Sequence, residues 1–420
     1  MLRVLVFSTL YPNQAQPNHG VFVENRLRHT LAQGGIEATV LAPVPWFPSR
    51  HPAFGRYAQY AAVPRQETRH GLTVYHPRYP VIPKIGSRLT PGFLYRAARR
   101  ALDELAGQGI PKFDLIDAHY FYPDGVAAAR LARDLNIPLL ITGRGTDLTL
   151  IPQSAPERAK IQWASRQASG MITVCEDLRQ KLVSLGEPAS RIVTLRNGVD
   201  LKRFSPGDRE AARAKLGIDG FTLLSVGSLI PRKGHELIIA ALGELPDMTL
   251  MIAGSGPMRA ELERIAVEKG VALRVRFLGE IAHDALVDAY RAADIFVLAS
   301  SREGWANVLL EAMASGTPVV ATNVNGTPEV ITDPRLGALV EERSAPALAR
   351  AIRALREKAP DRAAVRAYAE QFSWDDTARA NKALFLAAAR YGYEDRFNPA
   401  IVTAAYDVLA KREFTPALTP

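Results

Sequence analysis

Apolar residues in this chain fall into short runs separated by longer stretches where they recur every three or four positions. The runs at 3–8, 38–42, 72–76, 115–119, 139–142, 171–175 and 192–195 predict buried strands, and 21–33, 93–106, 126–134 and 178–185 predict helices. Strands that are apolar throughout are covered on both faces, which implies parallel sheets flanked by helices. A proline-rich stretch over 43–91 breaks this rhythm and reads as an excursion of loops or a hairpin. The alternation then restarts, with strands at 222–226, 249–253, 274–278, 295–299 and 319–322 and helices at 235–242, 258–269, 285–292 and 308–314. Helical patterns dominate 345–391, and the last thirty residues, punctuated by proline, predict no element.

Turn residues Asn197-Gly198-Val199-Asp200 and Phe204-Ser205-Pro206-Gly207-Asp208 lie between two complete α/β patterns and read as the linker. The expected fold class is therefore α/β, with two Rossmann-like, doubly wound parallel-sheet domains, 1–199 and 200–373, facing a central cleft, followed by a tail over 392–420. Open parallel sheets bind ligands beyond the carboxyl ends of their strands, so the chemistry is expected in the loops that follow strands.

A length of 420 residues suits two cores, and 47% apolar with 23% charged residues excludes a disordered chain or a fibre. The longest uncharged stretch, 312–328, is interrupted by Gly316, Pro318 and Gly326, so it does not read as a transmembrane helix. The opening Met-Leu-Arg-Val-Leu-Val-Phe reads as a first strand rather than a signal peptide. A single cysteine, Cys175, excludes internal disulfides and a thiolate metal cluster, and a cytoplasmic protein is expected.

The net charge of +9 is local: Arg50 to Arg100 holds ten Lys or Arg and one acid, Glu67, while the rest of the chain carries 42 of each sign. A chain-wide nucleic-acid reading loses its support. The same window carries Phe54, Tyr57, Tyr60, Tyr75, Tyr79, Phe93 and Tyr95, with Trp46 and Phe47 just before it. Basic residues near anionic lipid contribute about 1 kcal/mol each, so residues 50–100 suit a peripheral site on the inner face of the cytoplasmic membrane. A solvated basic surface and a site for an anionic soluble acceptor fit the same residues.

Candidate chemistry sits at or after the ends of six predicted strands. In Ser301-Arg302-Glu303-Gly304-Trp305-Ala306-Asn307-Val308 and on to Glu311, two glutamates eight residues apart flank a helix start whose free N–H groups attract an anion. Glu303 suits sugar hydroxyls, and Glu311 offers two acceptors to vicinal ribose hydroxyls. Acids are common at helix starts, which is the ordinary reading. In Gly227-Ser228-Leu229-Ile230-Pro231-Arg232-Lys233-Gly234, two cations at a helix start suit a diphosphate, against an ordinary exposed basic turn. Gly254-Ser255-Gly256-Pro257 allows a nucleotide to lie on backbone, or is a tight turn. In the first half, Gly20 follows the first strand, His119 ends another, and Arg144 and Asp147 follow a third; each is as readily structural as functional.

Together these segments resemble a known family. Glu303 to Pro318 with Thr322-Asn323-Val324-Asn325-Gly326-Thr327-Pro328-Glu329 is similar to the glutamate–seven residues–glutamate signature of the retaining glycosyltransferases of family 4, which have the GT-B fold. Leu195 to Asp200, Pro231 to Gly234 and Phe372-Ser373-Trp374 also match, and the resemblance covers about residues 1 to 390. It implies that Arg232 and Lys233 hold the diphosphate of a nucleotide-sugar donor, Glu311 the ribose, and Glu303 the sugar. The backbone of Trp305, Ala306, Asn307 and Val308 would lie near sugar and phosphate, Gly20 and Gly227 by the diphosphate, Gly254 and Gly256 along the nucleotide, and Ile281 by the base. His119 would lie near the transferred sugar, Arg144 and Asp147 on the acceptor side, and a final helix over about 374–391 would pack back on the first domain. Ser228 stands where many members carry arginine, Trp305-Ala306-Asn307 replaces a frequent Phe-Gly, and Arg144 replaces a frequent histidine.

The expected activity is transfer of a hexosyl unit from a UDP- or GDP-sugar, with retention and without a metal or cofactor. The expected acceptor is a sugar or lipid-linked glycan of a cell-surface polysaccharide. A sugar-nucleotide epimerase or a phosphorylase of the same fold is the alternative. A dinucleotide-dependent oxidoreductase ranks lower, because Gly254-Ser255-Gly256-Pro257-Met258-Arg259 lacks the third glycine of its fingerprint.

Overall fold

The computed structural model describes residues 1–82 and 88–411. The chain divides into two compact units, one of Met1–Arg196 with the chain from Asp375 on, the other Asn197–Trp374.

The strands of unit one are β1 (Leu2–Phe7), β2 (Ile36–Leu41), β3 (Val44–Pro45), β4 (Gln66–Arg69), β5 (Leu72–Tyr75), β6 (Arg78–Tyr79), β7 (Leu115–His119), β8 (Leu139–Gly143), β9 (Gly170–Thr173) and β10 (Ile192–Thr194). Eight of them form one sheet in the order β10-β9-β8-β7-β1-β2-β5-β4. Every pairing in it is parallel except β4 with β5. Strand order reverses at β1, which pairs with β2 on one side and β7 on the other, so the loops after β1 and β7 flank the switch point.

The proline-rich excursion contributes the edge hairpin β4–β5. His70 and Gly71, both at positive φ, form its two-residue turn, the backbone that matches strand twist. Glu67, the one acid of the basic window, accepts from His76 Nε2 at 2.8 Å and from the Gln14 N–H at 3.1 Å. Lys84, part of that window, lies outside the described residues.

Unit two is a six-stranded parallel sheet of β11 (Phe221–Val226), β12 (Met248–Ala253), β13 (Val275–Gly279), β14 (Ile295–Leu298), β15 (Val319–Thr322) and β16 (Gly337–Val340). Their order is β13-β12-β11-β14-β15-β16, with the reversal at β11. The core joins Leu223, Leu250, Ile252, Ile295 and Val297 of the sheet to Ile238, Ile239 and Leu242 of the helix His235–Leu242 and to Leu348 and Ile352 of the helix Ala345–Lys358.

The sequence pattern omits β16: Gly-Ala-Leu-Val is short and carries one β-branched residue, so only its place at the sheet edge makes it a strand. It also omits the helix Ala400–Ala410, whose Ile401, Val402 and Ala405 enter the core of unit one and whose Tyr406 hydroxyl donates to Ile192 O at 2.9 Å. The helix Trp374–Tyr391 contributes Ala380, Leu384, Phe385 and Ala388 to that same core. Asn381 and Lys382 tie it to the first helix of the unit by bonds to Thr30 Oγ1 (3.1 Å) and Gln33 O (2.7 Å).

Candidate functional site

In unit two the loops after β11 and β14 meet because those strands are neighbours at the switch point. Pro231–Lys233 forms a single 3₁₀ turn closed by Gly234 at φ 70°, where a Cβ would fall 2.1 Å from Ala299 O. Only glycine lets the basic turn sit this close to the end of β14. The turn is bound to the neighbouring loop by Ser301 N–H to Arg232 O at 2.8 Å and by Arg232 Nη1 to Arg302 O at 2.8 Å.

That arrangement brings Arg232 and Lys233 to Glu303. Lys233 Nζ lies 2.6 Å from Glu303 Oε1 and Arg232 Nη1 lies 3.5 Å from Oε2. Ser300 Oγ donates to Oε1 at 2.6 Å, and the Glu303 N–H donates to Asn325 Oδ1 at 3.1 Å. Burial alone raises the Glu303 pKa; the charges of Lys233 and Arg232 outweigh it and hold the carboxyl below its ordinary range. Arg343 braces both loops, donating to Ala299 O at 2.8 Å and Pro231 O at 3.3 Å.

Glu311 lies on the helix Asn307–Ala314, built from strong helix formers with Leu309, Leu310 and Met313 buried. The helix ends in a Schellman motif: the Thr317 N–H bonds Ala312 O and the Gly316 N–H bonds Met313 O. Buried Tyr290 donates to Glu311 Oε2 at 2.8 Å, fixing that carboxylate in unit two. Trp305 and Ala306 are buried, Val308 is half-buried, and Asn307 Oδ1 accepts from Asn197 at 3.2 Å.

The glycine loops form a ladder along the carboxyl edge. The Gly227 N–H donates to Ala253 O, Leu229 N–H to Ser255 O, and Gly254 N–H to Gly279 O. A Cβ at Gly254 would lie 1.9 Å from Gly227 O, and one at Gly256 2.5 Å from Leu229 O. Half-buried Ile281 follows the third rung.

Unit one holds a second cluster. Arg144 Nη2 donates to His119 Nδ1 at 2.8 Å, which leaves the ring proton on Nε2, 3.3 Å from Asp117 Oδ2. Burial pushes His119 down to about 4, with Asp117 opposing and Arg144 reinforcing the shift. Arg26, fully buried, donates to Leu195 O at 2.5 Å and belongs to the same charge cluster. Arg144 also stacks over the Phe22 ring at 5.2 Å.

Two expectations change here. Asp147 is fully buried and accepts from the N–H groups of Phe121 (2.8 Å), Gly145 (2.8 Å) and Arg144 (3.1 Å), so its carboxylate organises the turn instead of presenting itself to an acceptor. His119 is 1% exposed with both ring nitrogens engaged, so it orients Arg144.

Gly20 caps the helix Val21–Ala32 at φ 75°, and a Cβ there would fall 2.4 Å from Leu10 O. The loop it closes is pinned by Asp124, which accepts from the Thr9 N–H and, at 3.1 Å, from its hydroxyl. Burial raises Asp124 to about 7. Sequence reasoning missed Asp124, Arg26, Asp117 and Arg343. The Tyr-Pro-Asp-Gly run after β7 was the available signal for Asp124; the others carry no local signature.

Two parallel α/β units with this strand order and these loops define the GT-B class of glycosyltransferases. The sequence pattern of Glycosyltransferase Family 4 matches residues 24–203, and that of Glycosyl transferases group 1 matches residues 208–372. A D-inositol 3-phosphate glycosyltransferase of Rhodococcus jostii (strain RHA1) is 32% identical over 352 residues, 77% of each chain. Among solved structures, a sucrose-phosphate synthase from Thermosynechococcus elongatus superposes with TM-score 0.74 at 24% identity, covering 90% of this chain and 96% of its own. Anabaena HepE in complex with UDP-glucose gives TM-score 0.70 at 20% identity, covering 92% and 100%. The chain belongs to glycosyltransferase family 4, the group 1 glycosyl transferases, and is a glycosyltransferase.

Proposed function

We propose that the chain is a retaining glycosyltransferase that moves a hexosyl unit from a UDP- or GDP-sugar to a sugar or lipid-linked glycan acceptor. The observation that carries this reading is the meeting of Arg232 and Lys233 with Glu303 at the carboxyl ends of β11 and β14. A leaving nucleoside diphosphate develops negative charge as its bond to the sugar breaks, and two fixed cations meet that charge without a metal. Glu311, oriented by Tyr290, takes the ribose hydroxyls. Glu303 takes sugar hydroxyls while sharing the Lys233 charge. The ladder of Gly227, Gly254 and Gly256 lines the nucleotide, Ile281 borders the base, and the Trp305–Val308 backbone lies by the sugar.

On this reading unit two is the donor domain and unit one, which carries Gly20, the acceptor side. Arg144, oriented by His119 and Asp117, meets the acceptor. HepE in complex with UDP-glucose supports a UDP-sugar first. Calorimetric titration with UDP, GDP and ADP tests the donor; binding of none of them overturns the reading. Incubation with donor alone separates transfer from epimerisation, and product anomer analysis by NMR tests retention.

A lipid-linked acceptor is favoured by the surface of the basic window. Trp46 (58%), Phe54 (49%), Ile82 (41%) and Leu89 (49%) are exposed there, beside the contacting rings of Phe47, Tyr57 and Tyr60. Among the described residues no helix is long and apolar enough to cross a membrane, so the contact proposed is peripheral. Flotation with anionic vesicles at low salt tests it; no anionic-lipid dependence leaves a soluble anionic acceptor.

A further inference from the structure

Unit two contains a cavity of about 370 Å³ whose wall includes none of the strand-to-helix loop residues of the candidate site. Four arginines line it, Arg209, Arg291, Arg362 and Arg366, and among its lining residues Glu370 is the one carboxylate. Most of their bonds go to groups that do not neutralise charge. Arg366 donates to Phe204 O (2.6 Å), Ala314 O (2.8 Å) and Leu201 O (3.2 Å), and Arg362 to Ala293 O (3.0 Å), Arg291 O (3.1 Å) and Thr317 Oγ1 (2.9 Å). Arg291 donates to Ser205 O at 2.8 Å and Ser205 Oγ at 3.2 Å.

The nearby acids are shared with cations outside the wall. Asp294 pairs with Arg209 but also with Arg213 and the Thr222 N–H, and Asp288 lies 3.8 Å from Arg291 but 2.6 Å from Lys215. Glu370 is taken by Arg366 at 2.8 Å. Burial, with Arg209 reinforcing it and Asp294 opposing it, pushes the Arg362 guanidinium down to about 10.

Clamping of carbonyls accounts for Arg362 and Arg366. It does not account for Arg209, whose side chain is one-third exposed and whose acid, Asp294, is shared with Arg213 and the Thr222 N–H. At Gly207 a Cβ would fall 2.7 Å from Arg291 Cζ, so that glycine lets this guanidinium lie against the backbone and bond Ser205. Fixed guanidiniums have already lost their rotamer freedom, and their forks match phosphoryl oxygens.

We propose that this cavity binds a small phosphorylated molecule, with Arg209 and Arg291 as its direct contacts and Arg362 and Arg366 supplying fixed positive charge. The site is separate from the donor loops and does not depend on the donor reading. Its test uses the full chain carrying Arg232→Ala and Lys233→Ala, which removes the other candidate phosphate clamp. Calorimetry with inorganic pyrophosphate, orthophosphate and sulfate at constant ionic strength is compared with and without Arg209→Gln or Arg291→Gln. The expected result is binding of pyrophosphate or orthophosphate in the parent, at least tenfold weaker in either added variant, with the urea midpoint unchanged. No phosphate binding in the parent, unchanged affinity in both variants, or sulfate bound as tightly as phosphate overturns the proposal.

Discussion

Lys233 Nζ lies 2.6 Å from Glu303 Oε1 although seventy residues separate them. The pair forms because β11 and β14 are neighbours in the sheet, so the loops that leave their carboxyl ends meet. Glu303 is 9% exposed, and the ion pair with its Ser300 hydrogen bond compensates the burial of its charge.

Lys233→Ala should therefore act on turnover more than on folding. If Lys233 holds the diphosphate as proposed, losing that preorganised cation lowers kcat by about 100- to 1,000-fold. Arg232 and Ser300 still serve Glu303, so the folding cost stays at about 1–3 kcal/mol. Steady-state kinetics at saturating donor and urea unfolding measure both; near wild-type turnover sinks the phosphate-clamp role.

The α/β class was legible because parallel strands buried on both faces read as near-continuous apolar runs, as Phe221–Val226 and Ile295–Leu298 do. The loops at the carboxyl ends of β11 and β14 were legible where glycine and charge coincide after a strand, as at Gly227 to Gly234. What the pattern could not show is what a buried polar group touches. Asp147 and His119 read as candidate site residues because they lie at strand ends, yet the Phe121 N–H takes Asp147 and Arg144 takes His119, partners about twenty-five residues away that only the fold brings near. Arg26 and Arg343 are ordinary helix and loop arginines in sequence; Leu195 O and Ala299 O, more than forty residues away in each case, give them their places.

His119 should show no titration near neutral pH. Its pKa of about 4 in the folded state lies below the ordinary value, so the ring stays neutral while the unfolded chain takes up a proton near pH 6.5. Acid then favours unfolding: the His119 contribution is complete above about pH 6.5 and is lost as pH falls toward 4. Ring proton shifts should be flat from pH 5.5 to 8, and the stability advantage of wild type over His119→Asn should shrink between pH 7 and pH 5. A midpoint near 6.5 in the His119 signals contradicts the Arg144–His119–Asp117 arrangement.

Gly254→Ala should damage the glycine ladder more than a glycine substitution in open space. Positive φ costs a non-glycine residue about 1–2 kcal/mol wherever it occurs. Gly270 at φ 67° has nothing within 4 Å of a built Cβ, whereas Gly254 at φ 145° would place it 1.9 Å from Gly227 O. Gly270→Ala thus reports the backbone cost alone, and Gly254→Ala adds displacement of the β11 loop. UDP affinity measured by calorimetry should fall at least tenfold in Gly254→Ala and stay within twofold in Gly270→Ala. Equal effects contradict the close packing of the two loops.

Asp124 gives unit one a stability that falls as pH rises. Its carboxyl is fully buried and holds its proton to about pH 7, against an ordinary value near 4, because burial outweighs the two bonds from Thr9. Between those values the folded state binds more protons than the unfolded chain, so each step up in pH favours unfolding until the carboxyl ionises in both states. Asparagine keeps the shape and an acceptor for the Thr9 N–H without the charge. Each pH step of one across that window removes about 1.4 kcal/mol, so Asp124→Asn should match wild type most closely at pH 5 and gain on it by a few kcal/mol at pH 8.5. Urea midpoints at the two pH values measure the difference. A wild-type advantage that grows with pH would mean that Thr9 holds an ionised carboxylate, and the loop from Thr9 to Gly20 would then owe its shape to that charge.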